Sequence, residues 1–202
     1  MKHELSLKKR FLKRVFDITV SFTGLILFSW LIIGAFLIAC IDTKSNGFFI
    51  QKRVGRWGNR FSVIKIKTMK KIDKLDSTVT TSNDVRITTS GKVFRKLKID
   101  ELPQLLNVLV GQMSFVGPRP DVPGYADGLA GNDRVVLSIR PGITGPATLY
   151  YRDEEEILAN QTDSQYYNDY VIYPHKVKLN KQYIYNYSLK NDIYYIWKTI
   201  FK

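Results

Sequence analysis

The most prominent pattern along the chain is an unbroken apolar stretch near the N-terminus. Residues 18–41, between Asp17 and Asp42, contain no charged side chain. A helix rises about 1.5 Å per residue, so this stretch is long enough to match a hydrocarbon core roughly 30 Å thick. Because no polar face interrupts the stretch, a buried core helix is the weaker interpretation. We therefore predict a helix that lies in a membrane.

Basic residues on both sides of the stretch bear on its topology. They precede it within residues 8–14 and follow it within residues 52–60. The positive-inside rule then places both ends in the cytoplasm, which predicts a re-entrant helix that enters and leaves by the same face. Gly24, Ser29 and Gly34 are the predicted weak points where such a helix could bend. A helix that crosses the membrane is the alternative topology.

An exported lipoprotein is a further alternative, because Leu37 to Cys40 (LIAC) resembles a cleavage box that ends in a lipidated cysteine. The apolar stretch is longer than the usual signal-peptide core of about 7 to 15 residues. The chain that follows it is also basic, which opposes export. Both observations weigh against this alternative.

The rest of the chain has weaker patterns. Residues 48–69 predict two short strands around the turn GRWGN, and the polar residues 73–93 predict a loop. Helical spacing of apolar residues begins near Lys92 and continues through the leucines up to Leu109. Two Gly/Pro-rich segments, 111–125 and 138–146, predict loops, and the acidic run 153–156 predicts a solvated helix start. A last amphipathic helix follows a predicted Ser188 cap. Together these elements predict an α+β, predominantly helical fold: a re-entrant membrane helix, a small β-hairpin and amphipathic helices at the membrane interface.

Charge and composition narrow the partners and cofactors. The 31 Lys and Arg against 18 Asp and Glu give a formal net charge of +13, which favours an anionic partner. The basic residues crowd beside the apolar stretch, so we expect lipid headgroups and no nucleic acid. One cysteine and two histidines exclude a disulfide framework and a Cys/His zinc site. A metal ion, if used, would be an oxygen-liganded ion such as Mg²⁺.

Asp100 and Glu101 are two adjacent carboxylates at a predicted helix start, where backbone N–H groups and the helix dipole favour negative charge. A plain N-cap is one interpretation. Nearby arginines, Arg95 upstream and the proline-braced Arg119 and Arg140 downstream, indicate a phosphate site instead. A carboxylate kept ionised there could attack phosphorus if a divalent ion offsets the repulsion. Its neighbour would then serve as a metal ligand or proton acceptor.

Several motifs together resemble a known family. They are KRVFD at 13–17, KIKTM at 65–69, the block from NDVRITTSGKVFRKLKIDELPQ to GQMSFVGPRP at 83–120, and RPGITGP at 140–146. In this combination the chain resembles the bacterial sugar transferases, the small monotopic phosphoglycosyl transferases that begin capsule, O-antigen or glycoprotein glycan assembly. The family's Ser-Pro at the membrane bend stands here as Ser29-Trp30.

The resemblance implies a two-step reaction at the cytoplasmic face of the bacterial inner membrane. The aspartate at position 100 would attack the β-phosphate of a UDP-sugar, release UMP and hold a phosphosugar, which undecaprenyl phosphate then accepts. It also implies Mg²⁺ as the cofactor, residues 1–44 as the membrane-associated part and residues 45–202 as the cytoplasmic catalytic domain. The implied catalytic residues are Asp100 and Glu101, and the implied metal ligands are Asp100, Glu101 and Asp192. The implied substrate contacts are Lys67, Arg95, Arg119, Arg140 and Arg152.

A non-catalytic membrane module that binds anionic lipid or a polysaccharide assembly complex is the alternative function. The sequence leaves open the sugar, the glycan pathway and whether the chain forms a homo-oligomer. UDP-sugar, undecaprenyl phosphate and the lipid bilayer are the expected partners.

Overall fold

A computed structural model describes residues 4–71 and 84–201 of the chain. The described part is mostly helical, with two small two-stranded sheets. The predicted fold class is thereby confirmed in outline. Residues 72–83, which hold most of the predicted polar loop, lie outside the described residues.

The helices are α1 (Leu7–Thr43), α2 (Thr89–Lys96), α3 (Gln104–Leu109), α4 (Pro146–Tyr150), α5 (Glu154–Ala159), α6 (Ser164–Tyr167), α7 (Tyr173–Tyr185) and α8 (Leu189–Phe201). The strands are β1 (Phe48–Val54), β2 (Arg60–Ile66), β3 (Ser114–Val116) and β4 (Gly142–Thr144).

The apolar stretch forms part of α1, a helix of 37 residues. Ser6 caps its start by accepting a hydrogen bond from the backbone N–H of Lys9. Lys44, in the left-handed region at φ 49°, ends it. The helix continues through the predicted weak points, so the structure does not confirm a break at any of them. It is the one helix of the described ranges that is long and apolar enough to cross a membrane.

The two faces of α1 differ where the helix contacts the rest of the protein, within residues 13–21 and 35–39. The face towards the rest of the protein buries small or polar side chains, which allows close approach; these are Lys13, Asp17, Ser21, Ala35 and Ala39. The other face exposes large apolar side chains, among them Phe22, Ile26, Trp30, Ile33 and Ile41. Such a continuous exposed apolar surface is atypical of a soluble monomer and indicates membrane association.

Both ends of α1 contact the same body of the protein. Near the start, Arg14 donates two hydrogen bonds of 2.7 Å to the carbonyls of Val108 and Leu109 at the end of α3. Near the end, Asp42 accepts a hydrogen bond from Ser90 of α2. Ala35 and Ala39 pack there against Ile66 and Phe94. The helix is therefore attached along one side rather than at one end.

A buried polar cluster joins α1 to the C-terminal helix. Lys13 Nζ lies 2.7 Å from Asp192 Oδ2 of α8, and Tyr183 donates a 2.5 Å hydrogen bond to the other carboxylate oxygen. Lys13 also donates to the carbonyl of Val116 at 2.9 Å. One turn along α1, Asp17 accepts from the hydroxyl of Ser114 at 3.0 Å. Removing one partner from such a buried pair leaves a charge without compensation, so these contacts specify how α1 docks.

The predicted β-hairpin is confirmed. Strands β1 and β2 pair antiparallel, with Phe48 opposite Ile66 and Val54 opposite Arg60. Trp57 and Gly58 form the turn at positive φ (63° and 84°), which is unstrained for glycine but uncommon for tryptophan. The Arg56 guanidinium stacks 4.7 Å from the ring centroid of Trp57.

Two segments predicted as Gly/Pro loops contain a short parallel pair, β3 and β4. Glycines are required here because the backbones nearly touch: a Cβ on Gly142 would lie 2.2 Å from the nitrogen of Gly117. Helix α2 also begins earlier than predicted, at Thr89, because the Thr88 hydroxyl accepts from the N–H of Gly91 at 2.9 Å. Both expectations were wrong at these positions.

The main core lies between the β3 region, α7 and α8, around buried residues such as Val116, Leu137, Val177 and Ile184. The predicted last helix is confirmed as α8, and Ser188 accepts from the N–H of Asn191 at 3.2 Å. Trp197 and Ile200 remain more than half exposed on its outer face.

Candidate active site

The two adjacent carboxylates lie in a tight turn between α2 and α3. Lys98, in the left-handed region at φ 57°, reverses the chain after α2, and a 3-10 turn over Ile99–Glu101 follows. Pro103 then precedes α3, where its missing N–H is unpaired in any case. The turn holds both Asp100 and Glu101 at 9% exposure. They are therefore nearly buried although the surrounding chain is basic.

Glu101 is held by two cations. Its Oε1 lies 2.5 Å from Arg119 Nη2 and 3.0 Å from Lys65 Nζ. Burial alone would raise the pKa of Glu101, but the positive charges of Arg119 and Lys65 outweigh it and hold this pKa well below its ordinary range. The same pair raises the pKa of Arg119, chiefly through the charge of Glu101. Glu101 is therefore a permanent anion that fixes two cations in place.

Asp100 has the opposite environment. Its Oδ1 is buried and has no hydrogen-bond partner in the described part of the chain. Burial, and next the negative charge of Glu101, raise the pKa of Asp100 to about 6. The start of α3, a helix of only six residues, does not keep this pKa at its ordinary value, because desolvation is the larger effect. At neutral pH the group is still about nine tenths ionised, and its raised pKa makes it the more basic of the two carboxylates.

A cleft of about 1690 Å³ opens beside Asp100. It is lined by many cationic side chains, which favour an anionic ligand. The cationic lining residues are Lys44, Arg53, Lys65, Lys67, Lys70, Lys71, Arg86, Arg95, Lys96, Lys98, Arg119, Arg152 and Lys176. The cleft is large enough to take a ligand bigger than a single phosphate.

Four of the predicted substrate contacts line this cleft together with Asp100: Lys67, Arg95, Arg119 and Arg152. Arg95 Nη2 lies 2.6 Å from Glu155 Oε1, while its Nη1 is buried without a partner among the described residues. Lys67 donates to Ser45 Oγ at 2.9 Å, and Arg152 donates to the Thr199 carbonyl at 3.4 Å. The structure thus brings these four basic side chains to the same cleft as Asp100.

Arg140 and Asp192 lie elsewhere. Arg140 donates from Nε to the Gly111 carbonyl at 2.7 Å and lines a separate small pocket. Asp192 is 1% exposed and engaged by Lys13 and Tyr183, and it does not line the cleft. A substrate contact for Arg140 and a metal contact for Asp192 stay predictions, and the structure does not bring either residue to Asp100.

The chain is similar to known proteins over most of its length. The family profile described as bacterial sugar transferase matches residues 8–202. The chain belongs to the bacterial sugar transferase family.

Several relatives of this transferase have informative names. It is 32% identical over 197 residues to the UDP-N-acetylgalactosamine-undecaprenyl-phosphate N-acetylgalactosaminephosphotransferase of Aeromonas hydrophila, covering 94% of this chain and 43% of that protein. It is 31% identical over 204 residues to the exopolysaccharide production protein ExoY of Rhizobium meliloti (strain 1021), covering 93% and 83%. It is 33% identical over 197 residues to the UDP-glucose:undecaprenyl-phosphate glucose-1-phosphate transferase of Klebsiella pneumoniae, covering 94% and 39%. The transferase therefore spans only about two fifths of the Aeromonas and Klebsiella proteins.

The structure adds cleft residues of the transferase that sequence reasoning missed. Lys65, two positions before the predicted Lys67, is the lysine that reaches Glu101. Asp121 follows the GPRP motif directly; burial raises its pKa to about 6, against the charges of Lys176 and Arg53. The sequence indicated these two residues only through the motifs, because Lys65 begins KIKTM and Asp121 follows GPRP.

The acidic run after Arg152 also has a role that its sequence did not indicate. It was expected to be a solvated helix start, and α5 does begin at Glu154. Glu154, however, lies 2.6 Å from Lys176, and Glu155 pairs with Arg95. These carboxylates pair with cations that line the cleft.

The residues beside the cleft fit a hard divalent ion. Mg²⁺ takes oxygen ligands and commonly keeps one or two carboxylates together with water and substrate phosphates. The partnerless Oδ1 of Asp100 suits such an ion, whereas Glu101 Oε1 is already shared by two cations. Within residues 4–71 and 84–201, no group of three or more His, Cys, Asp or Glu could hold a metal ion. Magnesium therefore stays a prediction, with Asp100 as its best-placed ligand.

Proposed function

We propose that the chain transfers a phosphosugar from a UDP-sugar to undecaprenyl phosphate and releases UMP, through a covalent phosphosugar on Asp100. The observation that carries the proposal is the buried, partnerless oxygen of Asp100 beside a cleft lined by arginines and lysines. Membership of the bacterial sugar transferase family supports it. Relatives named as undecaprenyl-phosphate sugar phosphotransferases support undecaprenyl phosphate as the acceptor.

In the first step, a carboxylate oxygen of Asp100 forms a bond to the β-phosphorus of the UDP-sugar. The bond between that phosphorus and the bridging oxygen breaks, and UMP leaves with the electron pair. In the second step, a phosphate oxygen of undecaprenyl phosphate bonds to the same phosphorus and the bond to Asp100 breaks. The products are undecaprenyl diphosphate sugar and a regenerated carboxylate. Splitting the transfer in this way is nucleophilic catalysis.

The other residues of the site orient and neutralise the substrate. Arg119, fixed by Glu101, presents its remaining N–H groups to a diphosphate in the cleft. Lys65, which contacts the same oxygen of Glu101 as Arg119 does, adds a second positive charge. The low pKa of Glu101 makes it a poor proton acceptor, so its role is to position these cations. Mg²⁺, held by Asp100 and by substrate oxygens, would supply further charge neutralisation.

The attachment of α1 supports a location on one side of the membrane. A span that crosses the bilayer would carry its two ends to opposite faces, yet Arg14 and Asp42 both bond to the same body. The exposed apolar face would enter the lipid while the polar face stays on the protein. We assign the chain to the cytoplasmic face of the bacterial inner membrane, where the basic flanks favour it.

The nucleotide product tests the proposal. Purified full-length protein is incubated with a panel of UDP-sugars, Mg²⁺ and undecaprenyl phosphate. We expect UMP from at least one sugar and none from Asp100→Asn. Asp153→Asn, which removes an exposed carboxylate at the same cleft, is the matched control and should retain activity. Release of UDP would contradict the covalent mechanism, and membrane binding without any nucleotide product would favour the non-catalytic module.

A further inference from the structure

Asp121 is a carboxylate inside the cationic cleft for which the proposed reaction has no role. It follows the GPRP motif and lines the same cleft as Asp100. Its backbone carbonyl accepts a 2.9 Å hydrogen bond from the N–H of Val54, at the end of β1. The hairpin thus holds this residue through its main chain and leaves the side chain to the cleft.

The cations nearest to Asp121 are engaged elsewhere. Arg53 donates a 2.6 Å hydrogen bond to Gln51 Oε1, and Lys176 Nζ lies 2.6 Å from Glu154 Oε1. Within the described ranges, neither cation forms an ion pair with Asp121. Burial raises the pKa of Asp121 to about 6, and the charges of Lys176 and Arg53 offset this only in part. Further hydrogen-bond donors would therefore stabilise the ionised carboxylate.

The hydrogen-bonding capacity of Asp121 is largely unused. An ionised carboxylate can accept about four hydrogen bonds. Among the described side chains, Tyr173 alone donates to it, at 3.4 Å to Oδ2, which is longer than the usual O–H···O distance of about 2.7 Å. Its Oδ1 has no such donor and, unlike the shielded Oδ1 of Asp100, reaches solvent. A ligand in the cleft can therefore contact this carboxylate.

Two tyrosines form a wall of the cleft next to this carboxylate. Tyr125 and Tyr173 both line the cleft, and their rings meet edge to face with centroids 5.0 Å apart. The Tyr125 hydroxyl donates to Asp169 Oδ1 at 2.7 Å and accepts from Gln165 at 3.0 Å, which fixes its position. Burial raises the pKa of Tyr173, so its hydroxyl stays protonated. Aromatic walls with a few fixed polar groups are typical of small-molecule sites.

The negative charge of Asp121 restricts which part of a nucleotide sugar can lie beside it. The carboxylate would repel phosphate oxygens, whereas hydroxyl groups can donate hydrogen bonds to it. A UDP-sugar has two uncharged parts with neighbouring hydroxyls, the ribose on the α-phosphate and the sugar on the β-phosphate. Arg119, two positions before Asp121, contacts Glu101 beside Asp100. The sugar is attached to the phosphorus that Asp100 would attack, so it is the nearer of the two parts.

We propose that Asp121 and Tyr173 form the subsite for the transferred sugar, in which the Asp121 carboxylate accepts hydrogen bonds from neighbouring sugar hydroxyls. The inference deepens the proposed function and depends on a UDP-sugar being the donor. It also gives a physical basis for sugar selectivity. A site that hydrogen-bonds a substrate hydroxyl rejects an analogue that lacks it, because the polar group of the site is then left unpaired.

Calorimetric titration in an Asp100→Asn background tests this subsite without turnover. Full-length protein in a neutral detergent with Mg²⁺ is titrated with UDP, UDP-glucose, UDP-galactose and the N-acetylated forms of both sugars. Asp121→Asn should weaken the tightest-binding UDP-sugar about tenfold, because hydrogen bonds to a charged acceptor are stronger than those to a neutral one. UDP has no sugar to lose, so its affinity should stay the same or rise.

Two further variants serve as control and as second test. Asp153→Asn removes an exposed carboxylate of the same cleft and should weaken neither UDP nor the UDP-sugar. Tyr173→Phe keeps the ring but removes the hydroxyl, and should weaken the UDP-sugar about threefold without weakening UDP. The Tyr173 variant keeps the test decisive if Asp121→Asn fails to fold.

Deoxy analogues of the tightest-binding UDP-sugar identify the contacted hydroxyl. Each analogue lacks one hydroxyl, either of the sugar or of the ribose. At least one sugar-deoxy analogue should bind about tenfold more weakly than its parent when Asp121 is present, and with little further loss in Asp121→Asn, because both changes remove the same contact. The ribose-deoxy analogue should lose the same factor in both proteins.

Three outcomes would overturn the proposal. Equal weakening of UDP and the UDP-sugar by Asp121→Asn, or a non-additive loss with the ribose-deoxy analogue, would place the ribose at Asp121. Unchanged UDP-sugar affinity in Asp121→Asn and Tyr173→Phe would exclude both residues from the sugar subsite. UMP release is measured separately: release together with binding that ignores Asp121 contradicts only this subsite. Binding that depends on Asp121 without any UMP release contradicts only the covalent mechanism.

Discussion

Arg119 and Glu101 form a 2.5 Å ion pair next to Asp100, whose buried Oδ1 has no partner in the described part of the chain. The pair fixes a guanidinium at the cleft and leaves Asp100 as the carboxylate whose oxygen is available. Neighbouring acids with opposite pKa shifts commonly have different roles in one reaction. We therefore propose Asp100 as the nucleophile and Glu101 as a positioning residue.

The pH dependence of the first step should follow Asp100. The attacking group is the anion, so UMP release should fall tenfold per pH unit below about 6, the pKa of Asp100, and be constant above it. Glu101→Gln removes the negative charge that contributes to this raised pKa, so the midpoint should move to lower pH while kcat falls about a hundredfold through loss of the Arg119 contact. A pH–rate profile of each protein measures both effects. An unchanged midpoint in Glu101→Gln would contradict this assignment.

Asp100→Asn should stabilise the protein at neutral pH. The pKa of Asp100 is about 6 in the folded state, above its unfolded value of about 3.9, so the folded state binds the proton more tightly. As pH rises between these two pKa values, ionisation of Asp100 therefore lowers the free energy of unfolding, and this loss is complete above pH 6. We expect a free energy of unfolding about 2 kcal/mol higher for Asp100→Asn at pH 7 and a much smaller difference at pH 4. Urea unfolding at the two pH values measures it, and destabilisation at pH 7 would refute it.

Lys13 and Asp192 should behave as a coupled structural pair. Lys13→Met or Asp192→Leu alone leaves a buried charge and should lower the free energy of unfolding by about 3 to 5 kcal/mol. The double variant should lose clearly less than the sum of the two single losses. The measurement is a double-mutant cycle by denaturant unfolding in the absence of metal. Additive losses, together with a changed magnesium requirement in Asp192→Leu, would instead support the predicted metal role of Asp192.

The two ends of α1 should be reachable from the same side of the membrane. Glu4→Cys and Ser45→Cys, each in a Cys40→Ser background, place single thiols at exposed positions before and after the helix. A membrane-impermeant thiol reagent should label both in inverted vesicles and neither in intact spheroplasts. This follows because Arg14 and Asp42 bond to one body. Labelling of the two positions from opposite faces would show that α1 crosses.

Local patterns were sufficient for the elements whose signals lie within a few residues. The apolar stretch predicted the helix of α1, strand alternation around GRWGN predicted the hairpin, and Ser188 marked the start of α8. These features depend on the spacing of apolar residues and on capping residues, both of which can be read directly from the sequence. The motif around Asp100 likewise placed the carboxylate at a cleft with Arg119.

Features that depend on distant contacts were not predictable. The β3–β4 pair joins two Gly/Pro segments that separately have no strand pattern, because their pairing requires the close approach at Gly142. Lys65 rather than Lys67 reaches Glu101, and this depends on where β2 passes the turn that holds Glu101. Asp192 faces Lys13 across 179 positions of the chain, and no local pattern reveals such a partner.

Direct trapping of the intermediate tests the central claim most closely. The full-length protein is incubated with its UDP-sugar and Mg²⁺ but without undecaprenyl phosphate, quenched in acid and measured by intact mass and peptide mapping. We expect a mass increase of one phosphosugar on Asp100, with one UMP released per adduct and no adduct in Asp100→Asn. Turnover of the nucleotide sugar with no adduct, or an adduct on another residue, would contradict it.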